Sequence, residues 1–313
     1  MLRSFLVPFL TDPLEASFFV RALLGGSLAA VLCACVGTWV VLRGMAFLGE
    51  ALAHGILPGV AVSVLLGFPP VAGAAVSAAV MAVGVRTLTK RTRLSNDTAI
   101  GILFVGMLAL GIAIVSKSGS FAVDVTAMLF GDVLAIGPAA LWLIGTALAL
   151  AVAGLAVYHR GFTALAFDER KAFTLGLRPE RASLALIALV ALAVIASYQA
   201  IGTLLVTALL LAPPAAASLT RKSVVGIMAL GSTIGIAAVV VGLYASWHLS
   251  IAAGPVIALA AVLSVAVASA LRPVRRRRVS ARPPAQSPSQ SLAQSPAPAP
   301  APAESAPSCP THA

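Results

Sequence analysis

Charge is scarce in this 313-residue chain: Asp, Glu, Lys and Arg make up only 10% of it, against 60% hydrophobic residues. With a mean hydropathy of +1.02, it carries more apolar surface than a soluble core of this length could bury, which excludes an ordinary soluble domain. The period-two alternation of a membrane β-barrel is missing too; apolar runs such as Leu23 to Leu42 are continuous. Aromatics are few, at 6%, whereas Ala and Gly are plentiful, the composition that lets helices pack backbone to backbone in lipid. Three cysteines, Cys33, Cys35 and Cys309, give no disulfide framework. Cys33 and Cys35 are two apart in an apolar run, so they point to different sides of a helix and read as small apolar residues rather than chelators. The chain also lacks a G-x-x-x-x-G-K-[ST] loop and a dinucleotide fingerprint, which leaves any nucleotide hydrolysis to another chain. Its N-terminus shows no short apolar stretch followed by a small-residue cleavage motif, so no removable signal peptide is expected.

What is present is a series of apolar segments long enough to cross a bilayer. A helix needs roughly 20 apolar residues to do so, and in lipid it satisfies its own backbone polar groups. The expected fold is therefore all-α, a polytopic membrane helix bundle of eight or nine spans. Read in order, they cover 17–42, 45–66, 70–89, 98–116, 137–158, 183–198, 201–219, 223–246 and 251–271. The count turns on the stretch from Ser183 to Leu219, interrupted by Tyr198 and Gln199, and on Phe121 to Ile136, which reads as a re-entrant or surface segment.

The formal charge of +11 invites a nucleic-acid reading, but its distribution argues against one. Alternating the spans from an outside N-terminus gathers Arg43, Lys90, Arg91, Arg93, Arg160, Arg170, Lys171, Arg178, Arg181, Arg221, Lys222 and the tail arginines on one side. By the positive-inside rule that side is the cytoplasm, and the net charge is a topology signal. The chain divides into an N-terminal segment 1–16, a transmembrane domain 17–271 and a tail 272–313. That tail is basic and then rich in Pro, Ala and Ser, a composition that builds no core and reads as disordered and cytoplasmic. Arg275 to Arg278 would sit on anionic headgroups.

An ionisable residue at membrane depth costs about 2.5–3.5 kcal/mol on insertion scales, so each one is a functional candidate. The clearest set runs from Gly49 to Gly59 and places Glu50 and His54 four apart on one helix face. A carboxylate beside an imidazole suits a borderline divalent cation such as zinc or manganese. Two ligands bind weakly, and a symmetric dimer would bring four to one axis. Small neighbours (Gly49, Ala51, Ala53, Gly55) permit close approach, and Pro58 removes a backbone hydrogen bond nearby. His248 at the outer end of the eighth span, and the outer acids Asp124 and Asp132, are secondary candidates. Asp97 reads as a complement to a helix N-terminus, with Ser95 or Asn96 as cap. Gln199 and Thr203 are expected on one face of the seventh span. The loop from Ala166 to Leu177 reads as a short amphipathic helix stopped by Gly176, suited to seat in a cytoplasmic partner's groove.

Together these segments resemble the metal-transporting family of ABC permeases, over about residues 15–271. The likeness rests on Leu42 through Gly59, Asp97 through Phe104, Phe130-Gly131-Asp132-Val133-Leu134, Phe167 through Leu177, and Gly202 through Pro213, in that order. It implies an ABC-3-type fold and a homodimer whose interface forms the pathway, with Glu50 and His54 as metal ligands. It also implies a coupling helix at about 167–177 (Phe167, Asp168, Glu169, Arg170, Lys171, Phe173, Leu175, Gly176) that meets the ATPase. Implied partners are a second copy of the chain, cytoplasmic ABC ATPase subunits that use ATP, and an outer solute-binding protein that delivers the metal. No cofactor is expected to be permanently bound, the chain is not itself an enzyme, and its place is a bacterial plasma membrane. Many family members carry Asp where this chain has Glu50, which reaches one methylene further. Trp39 through Met45 and Ser246 through Leu249 look most like actinobacterial-style zinc permeases, and on that likeness zinc is the expected cargo, ahead of manganese or iron(II). Two rivals fit less well. A gradient-driven secondary transporter calls for acidic coupling residues in broken helices, and an intramembrane metalloprotease calls for a third ligand and a His-Glu-x-x-His pattern that is absent.

Overall fold

The computed structural model describes residues 12–92, 94–117, 131, 133–167 and 179–271. Within them the chain forms ten α-helices. They are α1 (Ser17–Leu42), α2 (Phe47–Gly55), α3 (Leu57–Leu65), α4 (Pro70–Arg91), α5 (Asn96–Lys117), α6 (Pro138–Phe167), α7 (Pro179–Ile201), α8 (Thr203–Thr220), α9 (Val224–Leu249) and α10 (Ala253–Ala270). A single 3-10 turn, Val133–Ala135, precedes α6, and the described residues contain no strand. Taking α2 and α3 as one broken span, nine segments among the described residues are long and apolar enough to cross a membrane, as the higher of the two expected counts has it.

Boundaries differ where local chemistry intervenes. The expected interruption at Tyr198–Gln199 falls instead at Gly202, whose φ of 79° suits glycine far better than a side-chain-bearing residue. Gln199 and Thr203 consequently belong to different helices, α7 and α8, and do not share a helix face as expected. The helix α6 has 30 residues and runs past the apolar segment through Tyr158, His159 and Arg160. Of the expected coupling segment 167–177, only Phe167 lies within α6; its remaining residues, together with Asp124, Asp132 and the tail 272–313, lie outside the described residues.

Contacts at the helix ends agree with a chain that crosses back and forth. At one end Trp39 stacks edge-on to His159, 5.7 Å between ring centroids, and packs on Phe162 at 5.4 Å. Arg43 donates to the Ser183 hydroxyl, 3.5 Å away, at that end. At the other, Phe19 meets Tyr244 and Trp247 at 5.3 and 5.7 Å, a cluster of the kind that anchors helices at an interface. The basic turns Arg43 and Arg160 thus share an end, away from Trp247.

Van der Waals contact, rather than apolar transfer, holds such helices together in lipid, so small residues mark the tightest crossings. The hairpin α3–α4 shows this: a Cβ added at Gly59 would fall on the Gly73 carbonyl oxygen, and one added at Gly73 on the Gly59 oxygen. A Cβ at Gly37 of α1 would likewise fall on the Leu210 carbonyl oxygen of α8.

Candidate metal site

The short helix α2 places the acid and the base. Between Phe47 and Pro58 every residue is buried except Phe47, Glu50, His54 and Leu57. These fall at i, i+3, i+7 and i+10, a single face. The opposite side is filled by Leu48, Leu52 and Ile56, each fully buried. Apolar packing therefore fixes the helix rotation and leaves its one polar face partly open.

On that face the His54 Nε2 lies 2.9 Å from Glu50 Oε1, and the side chains are 16% and 33% exposed respectively. The tautomer with a proton on Nε2 donates to the carboxylate and leaves the Nδ1 lone pair unused. Neither group stands alone. The His54 ring lies 5.8 Å from the ring of Phe104 on α5, and the Thr207 hydroxyl of α8 stands close enough to Glu50 to stabilise its charge. The Thr207 hydroxyl donates to the Thr203 carbonyl oxygen, 2.8 Å away. Close seating of α2 on α8 depends on Gly49, where a Cβ would come within 2.5 Å of Leu210 Cδ2. The helices α5 and α8 flank α2 without packing substantially on one another, and the pair looks into the gap between them.

A carboxylate oxygen and an imidazole nitrogen at hydrogen-bond distance can trade their shared proton for a divalent cation, since both ligate through the lone pairs that now hold it. No third His, Cys, Asp or Glu completes a cluster among the described residues. His248 is exposed near the C-terminal end of α9, a helix that packs chiefly on α1, α8 and α10. The structure thus brings Glu50 and His54 together and gives His248 no part in their contacts. At the start of α5, Ser95 is the cap, accepting from the Thr98 N–H at 3.1 Å, and Asp97 stands in the first turn. Thr207 is not among the residues that the sequence singles out, although a hydroxyl residue four positions after Thr203 in an apolar run carries the signal.

The ABC 3 transport family model matches residues 15–272. The manganese transport system membrane protein MntC of Listeria monocytogenes is 31% identical over 265 residues, covering 85% of this chain and 94% of its own length. The chelated iron transport system membrane protein YfeD of Yersinia pestis is 30% identical over 284 residues, 88% and 94% of the two chains. Among solved structures, a chain of PsaBC from Streptococcus pneumoniae in complex with Fab superposes with a TM-score of 0.76 at 29% identity. The match covers 87% of this chain and 98% of that one.

Proposed function

The chain belongs to the ABC 3 transport family, as a multi-pass membrane permease of an ABC metal importer, and from that premise we propose that Glu50 and His54 are the ligands its cargo meets in the membrane. The observation that carries this is the 2.9 Å carboxylate–imidazole contact on the one open face of α2. Such groups are costly to keep at membrane depth unless something uses them.

The cargo proposed is a divalent first-row metal. Manganese comes first, because relatives 30–32% identical over most of their length are named for its transport. Zinc is the second reading, supported by the imidazole donor and by the likeness of the Trp39 and Trp247 segments to zinc permeases. A single Glu50–His54 pair offers two ligands, and a second copy facing it across a two-fold axis would supply four. The partly exposed stripe Leu204, Thr207, Ala208, Leu211, Ala215 and Ser218 on α8 flanks the pair on the side where that copy would stand. The basic end of the bundle faces the cytoplasm in this reading, and Asp168 to Gly176 form the segment that meets separate ATPase subunits. Metal would arrive at the opposite end from a binding protein.

The test is radiolabelled manganese and zinc uptake in a strain lacking the chain, complemented at matched membrane level. Wild type should restore uptake of one metal, and Glu50→Gln and His54→Ala should each lose it by tenfold or more, in the ~10–100-fold range for a disrupted ligand sphere. Normal transport by both variants would make the pair structural and remove this assignment.

A further inference from the structure

The span that carries the pair is broken, and the break leaves backbone oxygen atoms beside it. α2 ends at Gly55 and α3 begins at Leu57. Across this junction the Ile56 N–H still reaches the Leu52 carbonyl at 3.2 Å, and the Val60 N–H reaches the Ile56 carbonyl at 3.0 Å. The three carbonyls between, those of Ala53, His54 and Gly55, lose the N–H four residues on that a continuous helix would give them; the Ile56 N–H, bonded to Leu52, also turns toward the His54 oxygen. Position 57 makes no backbone bond back to Ala53. Pro58 has no N–H to give His54. The Gly59 N–H, which would serve Gly55, donates instead to the Ser77 hydroxyl of α4 at 2.8 Å. Among the described residues no side-chain donor replaces them.

Unpaired carbonyls inside a membrane span are expensive, and non-helical backbone is tolerated there only where it lines a polar cavity or is otherwise satisfied. The cost here is maintained from two sides, by a proline on the broken helix and by a serine on its neighbour. Carbonyl groups point along a helix toward its C-terminal end, so the His54 oxygen projects from the imidazole's own residue in the direction of α3. In broken membrane helices, freed carbonyls of this kind serve as ligands to cations.

We propose that the freed carbonyls of the Ala53–Gly55 turn, His54 foremost, are oxygen donors to the transported ion, completing with Glu50 and His54 a mixed oxygen and nitrogen site within each protomer. This rests on the reading of Glu50 and His54 as cargo ligands. It assigns the break a chemical role: backbone oxygen is a hard, neutral donor that replaces water around a manganese-like ion without adding charge, and it offers little to a soft ion.

The assignment is tested in cells carrying the full chain and its native partners, at matched membrane level. Labelled uptake of the metal that wild type accumulates, manganese or zinc, is compared with that of cadmium, a softer divalent probe. Pro58→Ala restores an N–H for the His54 carbonyl, and Ser77→Ala frees the Gly59 N–H for the Gly55 carbonyl; Pro58→Gly is a second route to the first change. The double variant should lose cargo uptake about tenfold while cadmium uptake falls less than about twofold, shifting the ratio between them. Parallel loss of both metals, or loss of neither, would overturn the carbonyl assignment and leave the break purely structural. Failure of the underlying reading shows separately, as normal uptake in Glu50→Gln and His54→Ala.

Discussion

Two prolines fall within α8, Pro213 and Pro214, and one within the α2–α3 span, yet only the single proline accompanies a break. In α8 the helix continues from Thr203 to Thr220 although two N–H groups are missing. The carbonyl deprived by Pro214 is that of Leu210, and the backbone of Gly37 on α1 is pressed against that oxygen. A glycine Cα–H against a carbonyl is a weak hydrogen bond, worth about half of an amide one or less, but it keeps the oxygen covered. At Pro58 no neighbouring helix among the described residues covers the His54 oxygen, which keeps only a share of the Ile56 N–H that also serves Leu52, and the next N–H is drawn away by Ser77. The same covalent defect is sealed in one region and left open in the other, and the open one lies a turn from the only close carboxylate–imidazole pair among the described residues. Proline alone therefore does not make a site. What distinguishes the two regions is whether a neighbouring helix covers the oxygen that proline releases.

The contrast breaks most visibly at Gly37. Valine there would put branched carbon where the Leu210 carbonyl stands, and because that contact is backbone on both sides no rotamer can relieve it. Separation of α1 from α8 is expected to cost more than about 3 kcal/mol and to expose the Leu210 oxygen together with the seat of Gly49, which packs on the same leucine. Thermal unfolding of the purified chain in detergent should show a large drop or no folded protein. A stable Gly37→Val variant would mean that the covered proline region does not depend on close helix contact.

A smaller effect is expected at Thr207, which tethers the open region to the closed one by linking Glu50 on α2 to α8. Thr207→Val keeps the shape and removes the hydroxyl. A full hydrogen bond to a charged group contributes about 1.5–3 kcal/mol, but the Thr207 proton goes to the Thr203 carbonyl and leaves only the hydroxyl's proximity to Glu50, so about 1 kcal/mol is expected. That corresponds to roughly a fivefold rise in the metal concentration for half-maximal uptake, with Thr207→Ser near wild type. Equal behaviour of Val and Ser would show that the contact carries no weight in positioning Glu50.

Much of this was legible from composition, because lipid constrains the chain so severely. The scarcity of charge fixed the solvent, the run lengths gave eight or nine spans where the described residues hold nine, and the i, i+4 spacing of Glu50 and His54 put on one face the two groups that the structure shows in contact. Pro58 announced a lost hydrogen bond but not its consequence. Nothing local to residues 53–59 reveals that Ser77, on another helix, takes the Gly59 N–H. Long-range partners of this kind leave no periodic trace: Thr207 and Phe104 sit in segments that read simply as apolar, and only the packing of α5 and α8 around α2 makes them neighbours of the pair. Polarity places the break at Tyr198 and Gln199, whereas the backbone conformation of a glycine, Gly202, sets it.

The smallest effect belongs to Pro214, and it sharpens the contrast because it is the mirror of the Pro58 change. Pro214→Ala restores an N–H four residues after Leu210, in a helix that already continues through the position. Its target oxygen is occupied by the Gly37 backbone, so the new donor adds a bond to a carbonyl that is already covered. Gly231 faces backbone atoms of Pro213 and Pro214 that the change leaves in place, so the helix contact there is kept. A stability change within about 0.5 kcal/mol is expected, with cargo and cadmium uptake both at wild-type level. If Pro214→Ala altered the ratio of the two metals as Pro58→Ala is expected to, proline removal anywhere in the bundle would be enough to change selectivity, and the freed oxygen beside His54 would lose its special claim.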